Sequence, residues 1–197
     1  MAKFYDHIEP AHAAFIAAQH IFFTASAAAI GRVNISPRGA DAFRVIDANT
    51  VTYLDQTGSG NEAAAHLRAD GRLTIMFCAF EGPPMILRLY GRGRSLPQGC
   101  DDYKHLLATA FGGEEPPGAR QIVLLDVEAV QTSCGYSVPL YEFQEDRPTL
   151  KNWASRKGKA GIREYWREMN VASIDGLPTG MLEVLGEAAD QVSRFTN

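Results

Sequence analysis

The segment Gly58-Ser59-Gly60-Asn61-Glu62 sets two glycines in front of an alanine-rich run, Ala63 to Ala69, that reads as a helix. Backbone N–H groups at such a start lack intrahelical partners and sit at the positive end of the helix dipole, an arrangement that suits a phosphate. No Gly-x-x-x-x-Gly-Lys-Ser/Thr motif occurs, so a nucleotide P-loop is not indicated. Ser59 and Glu62 also have the S-x-x-E spacing of a capping box, which would start the helix near Ser59 and leave its hydroxyl occupied by its own helix. On pattern alone, that capped turn is the simpler reading.

Asn34-Ile35-Ser36-Pro37-Arg38-Gly39 alternates polar and apolar residues and then adds a cation. A strand of this kind can present hydrogen-bonding groups to a flat heterocycle and a guanidinium to its phosphate. The plainer reading is an exposed strand face ending in a solvated arginine. Thr132-Ser133-Cys134-Gly135-Tyr136-Ser137-Val138-Pro139 puts a thiol beside a turn. All five histidines (His7, His12, His20, His66 and His105) precede it in the chain, so no Cys–His pair is specified and a small packed thiol is expected. Arg88, Tyr90 and Arg92 alternate on one strand with Arg94 beyond, a short basic wall for an anionic ligand. No histidine, cysteine or carboxylate cluster has metal-ligand spacing, so no metal is expected.

The elements that must position these groups are mostly strands. Ile21 to Ser26, Val33 to Ser36, Ala42 to Ile46 and Thr50 to Asp55 form a meander, with Pro37 expected to end the second because proline cannot donate to a central ladder. Leu73 to Ala79, Met85 to Tyr90 and Gln121 to Thr132 follow, and Gly91, Gly93 and Gly99 are expected to loosen the chain after the sixth of these. Helices are expected over Pro10 to Gln19 and Asp101 to Phe111, and two more between Pro148 and Met169, broken near Gly158 and Gly161. A doubly wound parallel sheet needs a helix after nearly every strand, and the first half has none, so an antiparallel barrel with helical trimmings is favoured.

The 197 residues, 46% apolar and 10% aromatic, suffice for one substantial core. A formal net charge of −4 argues against a nucleic-acid partner. The three cysteines, Cys78, Cys100 and Cys134, include no C-x-x-C pair and fit a reducing compartment. Gln19, His20, Thr24 and Ser26 interrupt the most apolar early stretch, so no membrane span is expected, and without a basic start and apolar run the N-terminus reads as that of a cytoplasmic protein.

Taken in order, Gly31-Arg32-Val33-Asn34-Ile35-Ser36-Pro37-Arg38-Gly39, Thr50-Val51-Thr52-Tyr53-Leu54-Asp55, Thr57-Gly58-Ser59-Gly60-Asn61-Glu62, a helix and then Arg72-Leu73-Thr74-Ile75-Met76-Phe77-Cys78 resemble the pyridoxamine 5′-phosphate oxidase-like, FMN-binding split-barrel family. Ser133 to Pro139 and Ser173-Ile174-Asp175-Gly176-Leu177-Pro178 are similar to its bacterial and fungal branch. The resemblance implies a mainly β fold with flanking helices, a six-stranded antiparallel split β-barrel. A barrel domain would span residues 1–145, and a helical extension, 146–197, would pack on the barrel or on a dimer partner. It further implies a homodimer with FMN at the subunit interface. Asn34, Ser36, Arg38, Thr57, Ser59 and Asn61 would hold the phosphate, Tyr53 and Asp55 would run beneath the ring system, and Trp153 and Arg163 are candidates to reach a partner's site. True pyridoxamine phosphate oxidases carry Ser-Arg-Lys at the turn where this chain has Ser59-Gly60-Asn61, so the resemblance is to the wider family and not to that oxidase. The activity implied is that of a flavin-dependent oxidoreductase acting on an unidentified small molecule. The alternatives are a non-catalytic flavin- or haem-binding module and a scaffold without cofactor.

Overall fold

A computed structural model describes residues 2–187. Eight strands form one antiparallel sheet: β1 (Lys3–Tyr5), β2 (Ile21–Ser26), β3 (Asn34–Gly39), β4 (Phe43–Val45), β5 (Thr50–Gln56), β6 (Arg72–Cys78), β7 (Ile86–Pro97) and β8 (Ala119–Ser133). Their spatial order is β3-β2-β6-β7-β8-β5-β4, with β1 added alongside β8. Seven of them are expected from the sequence, the short β4 within Ala42 to Ile46 among them; β1, of three residues, is the addition, so the sheet has two strands more than the six the resemblance implies. The helices are α1 (Pro10–Ala17), α2 (Glu62–Ala69), α3 (Asp101–Ala110), α4 (Thr149–Met169) and α5 (Met181–Leu185).

The sheet curls because its two ends share one core. Phe22 of β2 lies near one edge of the strand order, while Phe43 of β4 and Tyr53 of β5 lie at the other. Yet the Phe22 ring centroid is 5.1 Å from that of Phe43 and 5.5 Å from that of Tyr53. Such edge-to-face contacts within one apolar interior are what a barrel requires and a flat sheet forbids. Alternation along β2 and β6 sends Phe22, Thr24 and Ser26, and Leu73, Ile75 and Phe77, inward. Strand β5 is buried on both faces because α3 covers the outside: Leu54, Leu96, Ile122 and Tyr103 form a second apolar cluster there.

Three local expectations are corrected. Pro37 does not end its strand, since β3 runs on to Gly39 with Pro37 paired opposite Phe23. β3 is the sheet edge, where a missing N–H costs no ladder bond. Gly91 and Gly93 do not loosen the chain but lie inside β7, which continues to Pro97. The β7–β8 register shifts between Tyr90 and Gly91, and a Cβ at Gly91 would lie 1.9 Å from the Asp126 carbonyl oxygen. The glycine therefore permits a β-bulge in which two backbones nearly touch. Between Pro148 and Met169 the two expected helices are present, parted at the non-helical Gly158 (φ 65°, ψ 170°), but Gly161 makes no second break and lies in regular helix.

The extension beyond residue 145 is described as far as residue 187, and residues 188–197 lie outside the described part. Trp166, Ile162 and Ala154 of α4 and Leu182 and Leu185 of α5 bury one another in a third apolar cluster.

Candidate functional site

A cavity of about 590 Å³ opens between β3, the end of β5, the turn before α2 and the first residue of α4 that reaches it, Leu150. On β3, Asn34, Ser36 and Arg38 are half-buried on one face while Val33, Ile35 and Pro37 point outward. The period-2 alternation of the sequence thus delivers all three polar groups to one wall. Asn34 Nδ2 donates to Ser36 Oγ at 3.2 Å. Arg38 Nη1 pairs with Asp55 Oδ1, and its Nε donates to Thr24 Oγ1 at 3.4 Å.

Asp55 organises the floor. Its Oδ2 accepts from Arg120 Nη2 at 2.7 Å and from Gln121 Nε2 at 2.7 Å, and the residue is fully buried. Burial alone would raise its pKa, but Arg120 and Arg38 on either side win and hold it down at about 2. Burial likewise opposes the charge on Arg38, but Asp55 and Tyr53 together raise that guanidinium above its usual range. Tyr53 lies beneath, with its ring centroid 4.8 Å from the Arg38 guanidinium carbon. Burial pushes its hydroxyl up to about 12.

The turn from Thr57 to Asn61 forms the next wall. Helix α2 begins at Glu62 with Asn61 as N-cap, and neither Ser59 nor Asn61 makes a side-chain cap bond. The expected capping box is therefore absent. Glu62 turns away, its carboxylate oxygens accepting from the Ile174 N–H at 3.0 and 3.1 Å. Among the described residues, the backbone N–H groups of residues 58–64 find no partner. Asn61 Oδ1 accepts from Gln121 Nε2 at 2.9 Å, which orients Asn61 Nδ2 as a buried donor with no acceptor. His66 adds a second orphan: Nδ1 meets Ser26 Oγ at 3.1 Å and Nε2 has no partner. A buried donor without an acceptor costs about 1–3 kcal/mol, which an acceptor placed in the cavity would offset.

Of the eight residues the sequence singled out, seven line this cavity: Asn34, Ser36, Arg38, Asp55, Thr57, Ser59 and Asn61. The eighth, Tyr53, is sealed in the core below. The other candidates go elsewhere. Arg88 donates to Ser133 Oγ, Arg92 to the Asp70 carbonyl and Arg94 to Asp126, so the basic wall is a set of local pairs on another part of the sheet. Cys134 is exposed rather than packed, because the chain turns at Gly135 and leaves the sheet. Trp153 stacks edge-on to Tyr165, and Arg163 donates to the Leu185 carbonyl, both within their own chain. Sequence reasoning missed Arg120, Gln121, His66 and Asn170. A polar pair opening the apolar run Ile122-Val123-Leu124-Leu125 was the available signal for the first two; nothing local marked the others.

A groove of about 1720 Å³ adjoins the cavity, sharing Gln56 and Leu150 with it. Its walls carry Phe80, Phe111, Tyr141 and Phe143. Seven carboxylates (Asp41, Glu81, Glu114, Glu115, Glu142, Glu145 and Asp146) face three cations there, Arg44, Arg147 and Lys151.

A curled antiparallel barrel with a polar edge strand facing a donor-rich turn defines a protein of the split-barrel class. The family model described as pyridoxamine 5′-phosphate oxidase matches residues 8–134, and the chain belongs to that family. The pyridoxamine 5′-phosphate oxidase family protein ustO of Aspergillus flavus is 35% identical over 194 residues, spanning 90% of this chain and 78% of its own. Two crystal structures of HupZ from Group A Streptococcus share the fold at TM-scores of 0.52 and 0.50, both at 21% identity. They cover 64% and 62% of this chain and 99% and 91% of theirs.

Proposed function

We propose that the chain binds FMN, with the phosphate between the Thr57–Asn61 turn and Arg38 and the ring system reached by Asn34 and Ser36, and uses it as an oxidoreductase on a small molecule. The observation that carries this reading is the turn itself. Consecutive unpartnered N–H groups at the start of α2, plus the orphaned Asn61 Nδ2, offer the donors a phosphate needs. Arg38 supplies a cation from the facing strand although two of its nitrogens are already engaged. The residues present therefore fit a phosphorylated flavin, by backbone donors more than by cations.

Bound flavin would supply the hydride chemistry. The chain's own residues bind and orient. Asp55 holds Arg38 and Arg120 in place, Ser36 and Asn34 offer polar edges to a heterocycle, and Leu150 screens the mouth that leads to the groove. A substrate would arrive through that groove. Its excess of carboxylates repels a phosphorylated amine, in keeping with a turn that lacks the Arg-Lys pair of the true oxidases.

A second copy of the chain completes the site in this reading. Val33 and Ile35 are each 67% exposed on the edge strand directly outside the cavity, and Ile174 is 59% exposed at its rim. An open apolar edge of this kind calls for a partner. The extension from residue 146 onward then packs on the barrel of its own chain, as Trp166 and Asn170 already do.

Replacing Ser59 and Asn61 together by leucine is expected to abolish FMN uptake, followed as loss of flavin fluorescence quenching under conditions where circular dichroism shows the variant folded. Full FMN occupancy in that variant would remove the phosphate from this turn.

A further inference from the structure

We propose that Asn170, with Trp166, is a positioning residue for the phosphate turn: the end of α4 sets the direction in which the turn's N–H groups point. The proposal rests on the flavin reading above.

The contacts are continuous. Trp166 Nε1 donates to Thr57 Oγ1 at 2.7 Å, and Thr57 Oγ1 in turn donates to the Gly118 carbonyl at 2.9 Å. Asn170 is fully buried and acts in two directions. Its Nδ2 donates to the Gly58 carbonyl at 3.1 Å, and its Oδ1 accepts from Arg120 Nη1 at 2.7 Å. The same Arg120 Nη1 donates to the Gly60 carbonyl at 2.9 Å. Asn170 is held in turn by its own backbone, whose carbonyl accepts from Thr179 Oγ1 at 2.6 Å and whose N–H donates to the Trp166 carbonyl at 2.9 Å.

Planarity gives these bonds their consequence. In a trans peptide the carbonyl and the following N–H point in opposite directions. Anchoring the Gly58 and Gly60 carbonyls on Asn170 and Arg120 therefore turns the Ser59 N–H away from the extension and the Asn61 N–H away from Arg120 of β8. With glycine at both positions the peptide planes would otherwise be free to rotate. Two glycines give the backbone room to approach a phosphate, and the helix end removes the freedom they would leave. Arg120 has a positioning role too: its guanidinium is occupied by Asp55, Gly60 and Asn170 and is not a phosphate ligand.

Riboflavin lacks the phosphate and separates positioning from general support. FMN and riboflavin affinities are measured by fluorescence titration for the wild type, Asn170→Ala and Trp166→Phe; the last keeps an aromatic ring in the cluster and removes the N–H donor together with part of the ring volume, a packing loss that would affect both ligands alike. The expected result is that FMN binding weakens about tenfold or more in Asn170→Ala, and measurably in Trp166→Phe, while riboflavin binding is unchanged. Equal losses for both ligands, or no loss for FMN, would overturn the positioning role. A wild type that binds FMN and riboflavin equally would instead overturn the phosphate reading beneath it. If Asn170→Ala does not fold, Trp166→Phe alone decides, by the same ratio.

Discussion

Asp55 is the residue on which the cavity floor depends. Replacing it by asparagine leaves Arg120 enclosed with no countercharge, and such a break costs about 3–5 kcal/mol. Urea unfolding of Asp55→Asn is expected to show a loss of that order, with FMN binding weakened as Arg38 loses its anchor. The acid response follows from the same pair of arginines. Folding depresses the Asp55 pKa to about 2, so its contribution is complete above the unfolded carboxylate value and is lost as pH falls through the folded one. Wild-type stability should thus drop between about pH 4 and pH 2, and the Asp55→Asn variant should lack that component; parallel acid curves for the two would contradict the pairing. Tyr53 acts at the other end. Its raised pKa of about 12 means stability that is full below the ordinary tyrosine value and is lost as pH rises through the folded one. At this scale the sequence was informative where a residue's own neighbours carry the signal, as for Asn34, Ser36 and Arg38 on one strand. Asp55 was found through its motif, but its two partners lie 17 and 65 positions away, a separation no local pattern encodes.

Among the elements, the long strands were readable from apolar alternation, and their ends were not. β3 continues through Pro37 because it is an edge, and edge status is a property of the whole sheet. β7 continues through Gly91 because the bulge against β8 needs a residue without Cβ. Gly91→Ala is accordingly expected to destabilise by about 1–3 kcal/mol or more, because the added carbon meets the Asp126 carbonyl rather than a side chain that can move. A differential scan showing an unchanged melting temperature would mean that the bulge is absent. The start of α2 was misplaced for a related reason. The S-x-x-E spacing at Ser59 is compatible with a capping box, but Glu62 is drawn to the Ile174 backbone instead, leaving the turn's donors free. The failure of that local rule is informative, since an uncapped, donor-rich helix start beside a cavity is what a ligand site needs.

For the whole molecule, charge is distributed in a way that bears on substrate choice. The groove beside the cavity carries an excess of four carboxylates, equal to the formal net charge of the entire chain. Cationic or neutral reductants should therefore reduce bound flavin faster than phosphorylated ones, and raising ionic strength should narrow the difference; anaerobic bleaching of the flavin band with paired amines measures this. None of that groove was visible in the sequence, because its walls come from α1, the β6–β7 turn, the segment after α3 and the chain leaving β8. The fold class was readable because the order of motifs, more than any one motif, is what the family shares. The most direct measurement is the visible spectrum of the protein after incubation with FMN and removal of free ligand. The flavin bands should remain with the protein in the wild type and disappear when Ser59 and Asn61 are replaced by leucine. A colourless wild-type protein would contradict flavin binding and leave the split barrel standing without that cofactor.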